Sequence, residues 1–116
     1  MKLKVGQFAR LKSGYICKII NINDFREPNM KYGVEANYLK DVMFIGDDDV
    51  VKASYSIIDI LEIGDYVNGH EVKSKQSGVK RIDIGEEENY VWLYENDIKS
   101  VITHEQMEQM AYKVGE

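Results

Sequence analysis

The beginning of this chain returns in its middle. Val5-Gly6-Gln7-Phe8-Ala9 is echoed 58 positions later by Ile63-Gly64-Asp65-Tyr66-Val67, and Gly14-Tyr15-Ile16-Cys17-Lys18 is echoed 55 positions later by Gly69-His70-Glu71-Val72-Lys73. Both copies read apolar-Gly-polar-aromatic-apolar and then Gly-x-x-apolar-Lys, the pattern of a strand entered through a glycine and a second strand leaving a turn. The longer offset is half of the 116 residues. Such a repeat predicts one domain over 1–116 built from two similar β units, 1–55 and 56–116. One mixed barrel accounts for the same echo.

The stretch Ile57 to Lys73, IIDILEIGDYVNGHEVK, joins the two copies. Ser56 with Asp59 three positions on predicts an N-terminal cap, a turn or two of helix over Ile57 to Leu61, and burial of Ile57, Ile58 and Leu61. Gly64 ends it. Asn68-Gly69 then predicts a two-residue hairpin, because both central positions of such turns require positive φ.

Elsewhere Val5 to Leu11 and Tyr15 to Ile20 read as a first hairpin around Lys12-Ser13-Gly14. Asn21 to Lys31 holds the one proline, three asparagines and four charged side chains, and reads as a loop long enough to touch a partner. Tyr32 to Leu39 is ambiguous, Val42 to Ile45 reads as a buried strand, and Val50-Val51 resumes the pairing. Glu71 to Gln76 and Val79 to Ile84 flank Ser77-Gly78 as another hairpin, Tyr90 to Tyr94 reads as a strong aromatic and β-branched strand, and Ile98 to Ile102 as a shorter one. Thr103 and Gln106 form a capping box for a last helix, with Met107, Met110, Ala111 and Val114 on one face to plug the sheet. The fold class is mainly β, or α+β, with a short mid-chain helix and a C-terminal helix. The glycine-entered hairpins resemble the first hairpin of small Src-homology-3-like barrels, and the resemblance implies such β-barrel units, with the echo allowing two in tandem.

A content of 44% hydrophobic and 30% charged residues is that of a globular chain rather than a disordered one. The start MKLKVGQFARLK alternates instead of accumulating hydrophobicity, and no apolar run approaches eighteen residues, so the expectation is a cytoplasmic protein without a leader or membrane span. The lone Cys17 fits a reducing compartment and a small core residue rather than a nucleophile. Residues 1–20 carry Lys2, Lys4, Arg10, Lys12 and Lys18 and no acid, within a total charge of −5. The surface is therefore expected to be polarised.

Two loops share one form: Ile45-Gly46-Asp47-Asp48-Asp49 and Ile84-Gly85-Glu86-Glu87-Glu88. Three successive acids point in different directions and lack the alternating spacing of a calcium loop, so no metal and no cofactor is expected. They read either as solvated turns that oppose edge aggregation or as an anionic decoy for a protein groove built for nucleic acid. The opposite reading places Lys73, Lys75, Lys80 and Arg81 in a phosphate-tracking stripe, with Tyr15, Tyr90 or Trp92 as a stacking platform for RNA or single-stranded DNA. Net acidity places that second. His70 and His104 are expected to face solvent, and no nucleophile or phosphate-cradling motif points to an enzyme.

Lys4-Val5-Gly6 with its hairpin, Lys52-Ala53-Ser54 through IIDILEIGDYVNGHEV, and the ending DIKSVITHEQMEQMAYKVGE resemble small uncharacterised proteins of phages and prophages of Gram-positive bacteria. The resemblance covers about half the chain and implies origin rather than activity. By analogy with small acidic phage accessory proteins, it implies a non-enzymatic inhibitor of a host protein, such as an anti-CRISPR protein that occupies an effector nuclease through Asp47 to Asp49 and Glu86 to Glu88. A structural or morphogenetic phage component is the third reading.

Overall fold

The computed structural model describes residues 2–36, 41–111 and 114–115. Its first half is one antiparallel sheet. β1 (Phe8–Leu11) and β2 (Ile16–Ile22) form a hairpin, β3 (Tyr32–Glu35) and β4 (Met43–Ile45) extend it, and β5 (Val50–Ser54) returns to pair with β1. The order is β4-β3-β2-β1-β5, and a 3-10 turn at Asp47–Asp49 carries β4 into β5. A single helical turn, α1 (Ile57–Ile60), follows.

The second half repeats this path with shorter strands. β6 (Tyr66–Val67) and β7 (His70–Glu71) form a hairpin, β8 (Ser74–Gln76), β9 (Arg81–Asp83) and β10 (Trp92–Tyr94) follow, and β11 (Val101–Ile102) pairs back with β6. Two three-stranded sheets result, β11-β6-β7 and β10-β9-β8. They are bridged at Val72 and Lys73, whose N–H groups donate to Asp65 O at 2.7 Å and to Asp83 O at 2.8 Å. Counting β7 and β8 as one bent strand, each half places its first strand between its second and fifth. Each half also enters its fifth strand through a 3-10 turn, Glu95–Asp97 in the second, and follows it with a helix, here α2 (His104–Met110). Among the described residues there are 11 strands and no closed barrel.

The echoed sequence has a local cause. Gly6 and Gly64 sit at φ +94° and +97°, a region that a side chain opposes. In the first turn Lys4 N–H donates to Gln7 Oε1 at 2.9 Å and Gln7 N–H to Lys4 O; in the second Glu62 N–H donates to Asp65 Oδ2 at 2.7 Å and Asp65 N–H to Glu62 O. The polar residue after the glycine is the acceptor that closes each turn. Asn68 and Gly69 have φ of 52° and 82°, the primed hairpin turn that this dipeptide predicts.

Each half has its own core. Leu3, Ala9, Leu11, Cys17, Ile19, Tyr32, Val34, Ile45 and Val50 fill the first, and Ile58, Leu61, Val67, Val72 and Ile82 the second. Ile16 of β2 leans on the second core and so stitches the halves together.

Several local expectations are corrected. Ser56 does not cap α1 through its side chain; Asp59 accepts from Ser54 Oγ at 2.7 Å instead, and Ser56 Oγ is buried with no partner among the described residues. The buried positions around α1 are Ile58, Ile60 and Leu61, with Ile57 only half-buried. β2 extends through Ile22 into the expected loop, and only Ile45 of β4 is buried. In the ambiguous segment, Tyr32–Glu35 is β3, whereas 37–39 lie outside the described residues. The aromatic strand, β10, lies at the edge of its sheet. The capping box of α2 forms, Gln106 N–H donating to Thr103 Oγ1, but the helix stops at Met110 and its methionines plug nothing: Met107 and Met110 are 38% and 67% exposed, and Val114 is exposed beyond it.

Candidate functional site

The outer side of β9 and β10 gathers aromatic and cationic groups at an open sheet edge. Strand alternation sets Arg81 opposite Gln76 and Tyr94, and Asp83 opposite Ser74 and Trp92. The Arg81 guanidinium lies 3.8 Å from the Trp92 ring centroid, and its Nε donates to Gln76 Oε1 at 2.7 Å. Tyr90 stacks on Trp92 with centroids 5.5 Å apart and planes within 1°. Trp92 is half-buried, while Tyr90, Val91 and Tyr94 are exposed. Buried Asp83 holds the hairpin behind this face, its Oδ1 accepting from Gly85 N–H and Val91 N–H.

Acidic turns flank the face on both sides. Glu86 to Glu88 form the exposed β9–β10 hairpin tip, with Glu87 at φ 52°, and Glu95–Asp97 begins as β10 ends. The two triplets of like sequence occupy unlike places. Asp47–Asp49 joins the fourth and fifth strands of the first half, so its counterpart in the second half is Glu95–Asp97, whereas Glu86 to Glu88 lies between the third and fourth. Both 3-10 turns close alike: Gly46 N–H donates to Asp49 Oδ2 and Tyr94 N–H to Asp97 Oδ2, each at 2.9 Å. Asp47 accepts from Tyr32 Oη at 2.7 Å, and burial with that bond raises the Tyr32 pKa. Two of the first triplet's carboxylates therefore serve the fold.

The four basic candidates are each engaged within the chain. Lys73 pairs with Glu71 at 2.8 Å, and Lys80 with Asp59 at 2.5 Å, a bond that heads the causes lowering the Asp59 pKa. Lys75 lies opposite Ile82 and turns inward, donating to Leu61 O at 2.8 Å and Asp59 O at 3.2 Å; burial, aided by nearby Lys52, lowers its pKa. Arg81 is held by Gln76 and Trp92. Tyr15 packs against the first core rather than joining this face.

A second constellation lies at the seam of the halves. Arg10 of β1 is 1% exposed and forks onto Asp65, itself fully buried, at 2.7 and 2.9 Å. It also donates to both oxygens of Glu105 at 2.9 and 2.7 Å and to Ile60 O at 3.1 Å, and lies 3.5 Å from Glu62. Burial opposes its charge, but the bonds to Asp65 and Glu105 outweigh that and raise its pKa. His104, whose side chain is 41% exposed, also turns its Nε2 to within 2.7 Å of Glu62 Oε1 and 2.9 Å of Glu105 Oε1. Lys52 reaches Glu62 Oε2 at 2.9 Å. Burial disfavours the Glu62 charge, yet bonds from His104 and Lys52 and the field of Arg10 prevail and hold its carboxyl at about 2. His70 is exposed on the hairpin.

Cys17 is buried, and burial pushes its thiol up to about 12. A mixed polar cleft of about 590 Å³ opens between the halves, lined in part by Phe8, Ile16, Lys18, Glu95, Lys99 and Val101. No helix among the described residues is long and apolar enough to cross a membrane. No family model, curated protein or solved structure matches the chain.

Proposed function

We propose that the chain is a non-enzymatic phage accessory protein that binds and inhibits a host protein through the aromatic edge of its second half. The observation that carries this reading is Tyr90, Trp92 and Tyr94 along the edge strand between two acidic turns, with Arg81 of the neighbouring β9 laid against the Trp92 ring. Tryptophan, tyrosine and arginine are the residues that dominate binding energy when a partner covers them, the aromatics through large rigid contact area and arginine through its planar fork of donors. Carboxylates around such a centre steer encounter towards a basic surface and discriminate against acidic ones. The fitting partner carries Lys and Arg beside an apolar or aromatic anchor, as the nucleic-acid groove of a CRISPR effector nuclease does. In this reading Glu86 to Glu88 supply the anionic rim, Asp48 is the one member of the first triplet without a turn-closing role, and the two halves are Src-homology-3-like units acting as a rigid mount.

The nucleic-acid reading is weakened by the partners already held by Lys73, Lys75, Lys80 and Arg81. Protonated amines committed to internal carboxylates and carbonyls offer less to a phosphate chain. The test is capture from nuclease-treated lysate of a Gram-positive host with tagged wild type, Trp92→Ala and a variant with Glu86, Glu87 and Glu88 all changed to Gln. The reading expects a basic host protein held by wild type and lost from both variants. Equal retention by all three refutes it, and partners lost on nuclease treatment transfer the role to nucleic acid.

A further inference from the structure

We propose that Glu62, His104 and Glu105 form a transition-metal site of the zinc class at the seam between the two halves. His104 Nε2 lies 2.7 Å from Glu62 Oε1 and 2.9 Å from Glu105 Oε1, and the three potential ligand atoms fall within 4.8 Å of one another. They come from two segments far apart in sequence, the turn before β6 and the first turn of α2. An imidazole with two carboxylates suits zinc, whereas calcium or magnesium needs a cage of oxygens that this seam does not supply. Zinc bonds to nitrogen and oxygen place tetrahedral ligands roughly 3.4 Å apart, so the two contacts of His104 Nε2 need to open by about 0.5 to 0.7 Å.

Two further features favour a cation here. Three carboxylates, Glu62, Asp65 and Glu105, converge here with Arg10 and Lys52, and Glu62 Oε1 and Glu105 Oε1 both turn towards His104 Nε2. The carboxylates are also anchored: Lys52 holds Glu62 Oε2 at 2.9 Å, and Arg10 holds Glu105 at both oxygens, 2.9 Å to Oε1 and 2.7 Å to Oε2. Bonds from behind a ligand fix its orientation and are what metal carboxylates rely on. The side chains of Glu62, Glu105 and His104 are 28%, 30% and 41% exposed, which leaves an open side for a water as fourth ligand. A metal held there would pin α2 to the β6 turn within the second half. This site is independent of the partner-binding face.

The test is calorimetric titration of Zn²⁺ into chelator-treated full chain at neutral pH, with Co²⁺ in parallel because its visible absorption reports coordination geometry. The variants are His104→Gln, which keeps an N–H donor towards the two glutamates, and His70→Gln as control. Expected are one ion per chain, a tetrahedral-type Co²⁺ band, a raised melting temperature with Zn²⁺, and binding at least about tenfold weaker in His104→Gln but unchanged in His70→Gln. No saturable heat and no Co²⁺ band in wild type overturns the proposal without recourse to any variant. Full binding by His104→Gln, or loss of binding in His70→Gln, overturns it equally.

Discussion

Replacing Arg10 with Met removes the charge at the seam while keeping most of its volume, and the structure sets the size of the effect. Asp65 is fully buried and takes two of its bonds from the guanidinium, retaining only Glu62 N–H at 2.7 Å and His104 N–H at 3.0 Å. Breaking a buried pair from one side costs about 3 to 5 kcal/mol because the surviving charge is stranded, and the two remaining N–H donors place this case near about 3. That is a large share of a total stability of about 5 to 15 kcal/mol. Asp65→Asn should cost less, about 1 to 2 kcal/mol, because Arg10 keeps Glu105 and the amide keeps an acceptor. The double variant should then recover part of the sum, the sign of a coupled pair. Urea denaturation followed by far-ultraviolet circular dichroism gives the free energies, and Trp92 fluorescence gives an independent view of the second half. Beyond lost stability, Arg10→Met should separate the two curves, since the halves have separate cores. A variant within about 0.5 kcal/mol of wild type, with coincident curves, would refute Arg10 as the coupling element.

Trp92→Ala should cost only about 1 to 2 kcal/mol in the same assay, because the ring is half-buried on an edge strand; a loss of about 4 would mean that it is core. Gly69→Val should cost about 1 to 2 kcal/mol from backbone alone, since φ is 82° and no atom lies within 4 Å of the added Cβ, and unchanged stability would disprove the primed turn. The bond from Lys80 lowers the Asp59 pKa, so its contribution is present above the ordinary carboxylate range and is lost as pH falls through the folded value. Asp59→Asn should therefore flatten the acid side of a melting-temperature profile by the equivalent of less than about 1 kcal/mol and leave its alkaline side alone.

The path of the chain was legible wherever a backbone conformation demands a particular residue. Asn68-Gly69 announces its turn because other residues are strained there, whereas Gly6, read within a strand from Val5 to Leu11, lies in a turn that ends before β1 and is closed by Gln7, as Asp65 closes that of Gly64. The α1 cap and the α2 face were misread for a tertiary reason. Ser54 and Lys80 claim Asp59 before Ser56 can use the local motif, and the α2 methionines Met107 and Met110 stay exposed. Helical periodicity reports which face could be buried, and only the neighbouring elements decide whether it is.

The seam shows why local reading misses a charge network. Arg10 sits in an alternating strand where sequence alone counts it as one cation of a basic hairpin, yet it meets Asp65 and Glu105 across 55 and 95 positions. The echo held the clue. Asp65 stands where the first copy has Gln7, and both side chains close the same turn, Gln7 through its amide oxygen and Asp65 through a carboxylate oxygen. A neutral amide suffices for the turn, so the carboxylate has a second task, which is to meet Arg10 from the opposite half. Where two copies of a motif share a backbone role but differ in charge, the difference marks what one copy does for the other.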